Sequence, residues 1–193
     1  MDHAPVSEAL TLAADIHREQ RRKGTDIPYL AHLLGVAALV VEHGGNAVQA
    51  TGALLHDAIE DHPDKITLAQ IEQSFGGEVA AIVLACTDAM EHPKPPWRAR
   101  KEAYIAHLAQ APPAAWLVLS ADKLHNARAI RDDLVEIGPA VFDRFSAKPE
   151  EVLWYYRTLA DTFARLMPGQ LAARLAHTVG EIERLWRDHQ PAT

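Results

Sequence analysis

The chain has 193 residues, 48% of them hydrophobic, which suits one domain with a sizeable core over residues 1–193. Its 26 acidic and 19 basic residues give a formal net charge of −7, which repels polyanions, so we expect no binding to nucleic acid. A single cysteine, Cys86, excludes an internal disulfide, and no apolar run approaches the roughly 20 residues that span a bilayer. Because the first residues also lack the pattern of a signal peptide, we expect a cytoplasmic protein with no membrane partner.

Apolar residues recur at spacings of three and four along most of the chain, whereas alternating runs rich in β-branched residues are nearly absent. This pattern predicts an all-α fold, a compact helical bundle. Prolines and glycines divide the pattern into helices, with an irregular stretch at residues 91–96. The predicted helices in chain order are about Val6–Arg22, His32–His43, Ala47 to Glu60 or Asp61, Thr67–Phe75, Glu78–Ala89, Trp97–Gln110, Ala114–Ile130, Pro149–Leu166 and Gln170–Asp188. Gly138 separates the helix Ala114–Ile130 from a short segment near Phe142.

One predicted helix ends in a group of polar residues, in the sequence ALLHDAIED over residues 53–61. At about 3.6 residues per turn, Glu60 lies one turn beyond His56, and Asp61 lies one turn beyond Asp57. Burying such groups costs several kcal/mol unless they are paired or bind a metal ion, so the group indicates a bound cation. For this motif alone, a solvated helix end with an ordinary charged face is an equally good interpretation.

Two further segments favour the metal interpretation. In LSADKLHNARAI, Asp122 interrupts an apolar helix and Asn126 follows one turn later on the same face; in PYLAHLLGVAALV, His32 opens a helix. Taken alone, His32 is more readily interpreted as a capping or core histidine. Together with His56 and Asp57, these segments supply two imidazoles and two carboxylates, a mixed nitrogen and oxygen set suited to a borderline divalent ion.

Three motifs together resemble the hydrolase domain of the Rel/SpoT alarmone family, and most closely its stand-alone small alarmone hydrolases. They are HDAIED, the upstream PYLAH and the downstream ADKLHNAR, and the resemblance also includes RRKGTDIPY. It covers roughly the first two thirds of the chain, to beyond Arg131. It implies an HD-type helical bundle that removes the 3′ pyrophosphate from a purine alarmone, (p)ppGpp or (p)ppApp, leaving the 5′-di- or triphosphate nucleoside.

The resemblance also implies roles for individual residues. The ligands of one divalent cation, most readily Mn²⁺, would be His32, His56, Asp57 and Asp122. The carboxylates that orient the attacking water and accept its proton would be Glu60 and Asp61. Arg22, Lys23 and Asn126 would contact the purine nucleotide, and a tyrosine of a late helix, such as Tyr155, would close its pocket. Apart from the resemblance, Arg128 lies near enough to Asn126 in the sequence to contact the same nucleotide. By default, Trp154, Tyr155 and Tyr156 are expected to be core residues.

Some assignments have competing interpretations. Arg128 is equally well placed for an ion pair with Asp132, one helical turn later. His125 is expected to point away from Asp122 and is left out of the site. The only candidates for further metal ligands, His62 and His92, lie in predicted loops and are expected to be surface residues.

The substrate and the metal also stay open at the level of sequence. Ala129 stands where relatives often have a polar side chain near the base, so both guanine and adenine alarmones are possible. The alternatives are an HD phosphatase that acts on a deoxynucleoside monophosphate or on the 2′-phosphate of NADPH, and a nucleotide sensor without turnover. The ligand set also allows iron or zinc, and a homo-oligomer is possible.

Overall fold

The computed structural model describes residues 3–87 and 95–190. Within these ranges the chain is all-α, as predicted, and no strand forms beyond an isolated bridge between Arg21 and Pro28. None of the described helices has the length and apolar character needed to cross a membrane. The helices are α1 Ala4–Ile16, α2 Leu30–Glu42, α3 Ala47–Leu55, α4 Ala58–Asp61, α5 Leu68–Phe75, α6 Gly77–Cys86, α7 Trp97–Leu108, α8 Pro113–Ile137, a 3₁₀ helix Gly138–Arg144, α9 Pro149–Leu166 and α10 Gln170–Asp188.

The long helix α8 is the central element of the bundle. Helices α2, α3, α6, α9 and α10 all pack against it. Its apolar positions Leu119 and Leu124 are fully buried, as are Leu33 of α2, Leu55 of α3 and Phe163 of α9. Each such side chain stabilises the fold by roughly 1.5–3 kcal/mol when it leaves water. Polar side chains on α8 are therefore held at fixed positions relative to α2 and α3.

Local sequence determines several helix starts. The side chain of Asn46 accepts a hydrogen bond from the backbone of Gln49 at the start of α3, and Thr67 accepts one from Gln70 at the start of α5. Both pairs form capping boxes, which satisfy backbone donors that the first helical turn leaves free. The predicted start at Thr67 is therefore confirmed.

The first helix is shorter than predicted and ends at Ile16, not at Arg22. Residues 18–22 are all polar, so a continued helix would have had no apolar face to bury there. The chain instead reverses, with Gly24 at φ 72°, a backbone conformation that glycine adopts readily. The backbone N–H of Arg22 donates to the carbonyl of Ile27 at 2.9 Å and closes this turn.

The third predicted helix is interrupted at His56 and Asp57, between α3 and α4. Asp57 has φ −100° and ψ −2°, which departs from regular helix geometry. Neighbouring residues on a regular helix point about 100° apart, so their side chains do not meet. The interruption allows the two neighbouring side chains to approach the same point.

Two other predicted helices end earlier than expected among the described residues. The helix predicted for Glu78–Ala89 is seen as Gly77–Cys86, and the one predicted to end at Gln110 ends at Leu108. Ala89, His92 and most of the predicted irregular stretch lie outside the described residues.

Candidate metal centre and nucleotide cavity

Two histidines and one aspartate meet where α2 faces the interruption between α3 and α4. One ligand atom each from His32, His56 and Asp57 lies within 4.8 Å of the others. Nε2 of His56 is 3.0 Å from Oδ2 of Asp57, and Nε2 of His32 is 3.6 Å from the same oxygen. In residues 3–87 and 95–190, no other group of three histidine, cysteine or acidic side chains meets this spacing.

Asp122 on α8 brings a second carboxylate to the same point. Its Oδ1 lies 3.2 Å from Nε2 of His32 and 3.7 Å from Nε2 of His56. The two imidazoles and this aspartate are all buried. The four predicted metal ligands are thus brought together by α2, α8 and the break between α3 and α4.

The hydrogen bonding of His56 tests whether this group fits a metal ion. Its Nδ1 lies 2.8 Å from the carbonyl oxygen of Ala53, which can only accept, so Nδ1 carries the proton. Nε2 then presents a lone pair, and it has no hydrogen-bond partner although it is buried. A lone pair that faces carboxylate oxygens is unfavourable unless a cation lies between them. The donor set therefore fits a divalent cation.

His125 contacts the ring of His32 on the side away from the metal-binding group, although it was expected to point away from Asp122 and to lie outside the site. The Nδ1 atoms of the two rings are 3.0 Å apart, and the rings meet edge to face. Gly35 leaves the space for this contact, since a Cβ there would lie 2.2 Å from Nε2 of His125. The expectation was wrong because His125 lies three residues after Asp122, a spacing that places both on one helix side.

Each carboxylate of the group also has a donor of its own. The hydroxyl of Tyr29 donates to Oδ2 of Asp57 at 2.5 Å. Nζ of Lys123 donates to Oδ2 of Asp122 at 2.6 Å, and Nδ2 of Asn126 donates to Oδ1 of Asp122 at 2.6 Å. Lys123 was visible beside Asp122 in the sequence but was not assigned a role.

The electrostatics of the group favour ionised carboxylates and a positive charge between them. Burial opposes ionisation, but the charge of His56 holds the pKa of Asp57 well below its ordinary value. Burial also raises the pKa of Asp122, but the charge of Lys123 outweighs this effect and holds that pKa well below its ordinary value. Burial lowers the pKa of His56, yet Asp57 and Asp122 together raise it well above the ordinary value.

Glu60 and Asp61 lie together on α4, one turn beyond the metal-binding group. Nε2 of Gln20 donates to Oδ2 of Asp61 at 2.8 Å, a contact that the sequence did not predict. Desolvation, followed by the charge of Asp57, raises the pKa of Asp61 above its ordinary value. A carboxylate with a raised pKa beside a metal site is suited to proton transfer. Glu60 is half-buried on the same turn.

His62 does not extend the metal-binding group. Its Nε2 lies 2.7 Å from Oε1 of Gln20, and its ring meets the buried His17 edge to face. His62 is therefore half-buried in a hydrogen-bonded contact and is not the free surface residue expected from the sequence. His92 lies outside the described residues.

A basic cavity of 300 Å³ adjoins the metal-binding group. Lys123 and Asn126 connect the two, since they line the cavity and also donate hydrogen bonds to Asp122. Aromatic side chains from α7 and α9, including Trp97 and Tyr155, form part of its wall. Its positively charged lining residues are Lys23, Arg100, Lys101, Lys123 and Arg144.

Of the predicted nucleotide contacts, Lys23, Asn126 and Tyr155 line this cavity. Arg22 lies beside it, where Nη2 donates to Oδ1 of Asn126 at 2.9 Å. The prediction missed the basic residues of α7 and of the 3₁₀ helix. Their proximity depends on how distant elements pack, which no local sequence pattern reveals.

Comparisons with known proteins identify the family. Residues 9–150 match the HD domain family. The chain is 39% identical over 133 residues to the guanosine-3′,5′-bis(diphosphate) 3′-pyrophosphohydrolase MESH1 of Xenopus tropicalis, which covers 67% of this chain and 72% of that protein. The chain belongs to the HD-domain family of hydrolases. The same enzyme of Homo sapiens is 38% identical to this HD hydrolase over 128 residues, 65% of this chain and 69% of that protein.

Structural comparison agrees with the family. A solved structure described as a metazoan ortholog of SpoT, which hydrolyzes ppGpp and plays a role in starvation responses, superposes with a TM-score of 0.71. It is 26% identical, and the superposition covers 95% of this chain and 96% of that one. The predicted resemblance and the HD-type all-α fold are therefore confirmed. HD domains bind a divalent metal, and the cluster of His32, His56 and Asp57 is of the kind such binding requires.

Arg128 is separated from the other predicted nucleotide contacts of the HD hydrolase. It lines a second cavity, between α8 and α10, that shares no residue with the first. The alternative ion pair with Asp132 is not formed either, because Asp132 pairs with Arg131 at 2.7 Å.

Proposed function

We propose that this HD hydrolase is a 3′-pyrophosphohydrolase of purine alarmones, which releases pyrophosphate from (p)ppGpp or (p)ppApp. The observation that supports this most is the junction of the metal-binding group with the basic cavity. Lys123 belongs to both, since its ammonium group binds Asp122 and also lines the cavity. A phosphate chain in the cavity would therefore end beside the metal. The relatives named for this activity give independent support.

We propose that one divalent ion, Mn²⁺, is held by His32, His56, Asp57 and Asp122. When bound, such an ion would lower the pKa of a coordinated water from about 15.7 toward 7, which supplies a nucleophile at neutral pH. The protein's part is to keep the donor atoms ionised or unprotonated. The low pKa of both aspartates keeps their oxygens ionised. The contact of Nδ1 of His56 with the carbonyl of Ala53 directs Nε2 toward the ion, which would replace the proton that the raised pKa of His56 retains there.

Glu60 and Asp61 would orient the water and accept its proton. Asp61 is held in one position by Gln20, and its raised pKa brings it nearer to a working range for proton transfer. Glu60 shares the same helical turn, so the two carboxylates offer alternative acceptors. We assign the main base role to Glu60, with Asp61 beside it.

The basic cavity would hold the phosphates and the base of the nucleotide. The chain carries a net charge of −7, so an anionic substrate needs a local positive region such as this one. Lys101 lies over the ring of Tyr155 at 5.0 Å, which places a cation next to an aromatic surface. Phosphates would meet the ammonium and guanidinium groups, and the purine would stack on an aromatic face or on the plane of Arg22.

Product analysis tests the proposal. The Mn²⁺-loaded protein would be incubated separately with guanosine and adenosine tetraphosphate alarmones, and the products separated by anion exchange. We expect pyrophosphate and the 5′-diphosphate, with none formed in EDTA or by the matched variant Asp122→Asn. The more rapidly hydrolysed alarmone identifies the base. Orthophosphate released from NADPH or from a deoxynucleoside monophosphate, with no turnover of either alarmone, would replace this proposal with a different HD phosphatase activity.

A further inference from the structure

A second basic cavity lies in the groove between α8 and α10, with a volume of 370 Å³. Three guanidinium groups surround it, two from α8 and one from α10. No carboxylate side chain belongs to its lining, and the imidazole of His177 is the only side-chain ring among its lining residues. The polar and charged residues that line it are Arg128, Arg131, Arg174, Gln170, His177 and Thr178.

Two of these guanidinium groups lack an anionic partner. Within the described ranges, the guanidinium groups of Arg128 and Arg174 form no ion pair and no hydrogen bond; the hydrogen bond from Thr178 goes to the backbone carbonyl of Arg174. Other arginines of the same region are neutralised, as in the contact of Arg157 with Glu183 at 2.5 Å. Arg131 is held beside the cavity by Glu181 at 3.2 Å. On a chain with a net charge of −7, two unpaired guanidinium groups facing one cavity indicate an exogenous anion.

The chemistry of the lining restricts what this anion can be. Guanidinium groups bind phosphate through paired N–H donors, and the start of α10 at Gln170 adds a partial positive charge. The nucleotide cavity has Trp97 and Tyr155 in its wall, but here no tyrosine, tryptophan or phenylalanine is present to stack on a base. The volume is near the lower end of ligand cavities, roughly 300–1,000 Å³.

We propose that the groove between α8 and α10 is a second anion site of this protein, which binds a compact inorganic phosphate, with pyrophosphate preferred over orthophosphate. Pyrophosphate is preferred because it offers more charge and more acceptor oxygens than orthophosphate to the two unpaired guanidinium groups, those of Arg128 and Arg174. The proposal does not rest on the hydrolase activity, because the cavity is separate from the nucleotide cavity. Free pyrophosphate and the phosphate chain of a nucleotide are the two possible sources of this chemistry.

Titration calorimetry of the full chain with sodium pyrophosphate tests the proposal, in the presence and absence of EDTA. We expect two binding events, one at each cavity, and the event in the groove persists in EDTA. Arg174→Ala should weaken that event about tenfold or more, as loss of a charged hydrogen bond predicts. Lys101→Ala should weaken only the other event. The matched control Arg184→Ala, elsewhere on α10, should weaken neither.

Two further outcomes decide the source and the independence of the site. Saturating guanosine diphosphate should block only the event that depends on Lys101; if it also displaces the event that depends on Arg174, the anion is a nucleotide and not inorganic phosphate. A single event, abolished by Lys101→Ala and unaffected by Arg174→Ala, would overturn the proposal. Alarmone hydrolysis by Arg174→Ala should equal that of the unmodified chain, so loss of the anion site and loss of the proposed activity can be told apart.

Discussion

At the residue scale, every proposed metal ligand is fixed by a second group. Such outer partners set ring orientation and ionisation, and their loss costs roughly 10–100-fold in metal affinity or activity. Sequence reasoning found the four proposed ligands from their motifs but missed most of these partners. The partners are the carbonyl of Ala53 for His56, His125 for His32, Tyr29 for Asp57, and Lys123 with Asn126 for Asp122.

The proposed ligand and base roles predict opposite effects of two alanine substitutions. Asp122→Ala removes a carboxylate donor and should abolish metal binding. Glu60→Ala should retain the metal and lose most of the turnover, because the main proton acceptor is gone and Asp61 replaces it only in part. Metal content from mass spectrometry, measured with alarmone hydrolysis, separates the two. Full activity in both variants would contradict the mechanism.

Lys123 should contribute to the reaction through its charge. Lys123→Met keeps the length of the side chain but removes the ammonium group that binds Asp122 and lines the basic cavity beside the metal-binding group. We expect kcat/KM to fall by about 10–100-fold, the size of effect typical for one positioned cation. Lys123→Arg retains the charge and should recover part of the rate, whereas a purely structural role would give similar losses in both variants.

The raised pKa of Asp61 predicts an acid limb in the pH dependence of kcat/KM. Asp61 must be ionised to help Glu60 to orient the water and to accept its proton, so activity should fall as pH drops through the raised pKa of Asp61. The hydrogen bond from Gln20 lowers the pKa of Asp61. Gln20→Ala should therefore move the acid limb to higher pH. Asp61→Asn serves as the reference, and an identical limb in that variant would assign the titration to another group.

At the scale of elements, regular helices were predictable, and the irregular junctions were not. The bounds of α9 and α10 match the prediction at both ends, because proline and glycine mark their limits and a strong apolar stripe fills them. The interruption at His56 and Asp57 has no breaker residue in the sequence. It depends on contacts with distant α2 and α8, which local periodicity does not encode.

The close packing of α2 on α8 can be tested through Gly35. Alanine at this position would force its Cβ against the ring of His125. We expect Gly35→Ala to destabilise the fold by about 1–3 kcal/mol, as overpacking does, and to weaken metal binding. Urea unfolding and metal titration measure the two effects. The matched control is Gly180→Ala on α10, where the added Cβ meets only Arg157 at 3.9 Å and should stabilise by about 0.5–1 kcal/mol.

At the scale of the whole molecule, positive charge is concentrated on an acidic protein. Eight of the 19 lysines and arginines line one of the two cavities. This distribution attracts small polyanions to defined places while the total charge of −7 still repels long ones. The composition alone predicted the repulsion of long polyanions. The attraction of small ones depends on how the helices are arranged in space.

Metal removal should lower the stability of the whole fold. Without a cation, the charges of Asp57 and Asp122 oppose each other in a buried site. A ligand at a hundred times its Kd stabilises by about 2.7 kcal/mol. For a domain of this size, that corresponds to a decrease in Tm of about 5–10 °C on adding EDTA. Asp122→Ala should show no such response, and an equal decrease in that variant would exclude this metal site as the cause.

The positions of the proposed ligands along the chain also set a time order for synthesis. The first, His32, lies in α2, and the last, Asp122, lies within α8, 90 residues further along the chain. Ribosomes add about 5–20 residues per second, so Asp122 follows His32 after roughly 5–20 s. Throughout that interval a nascent chain has an incomplete set of ligands. The proposed set of four metal donors is therefore complete only after α8 has left the ribosome.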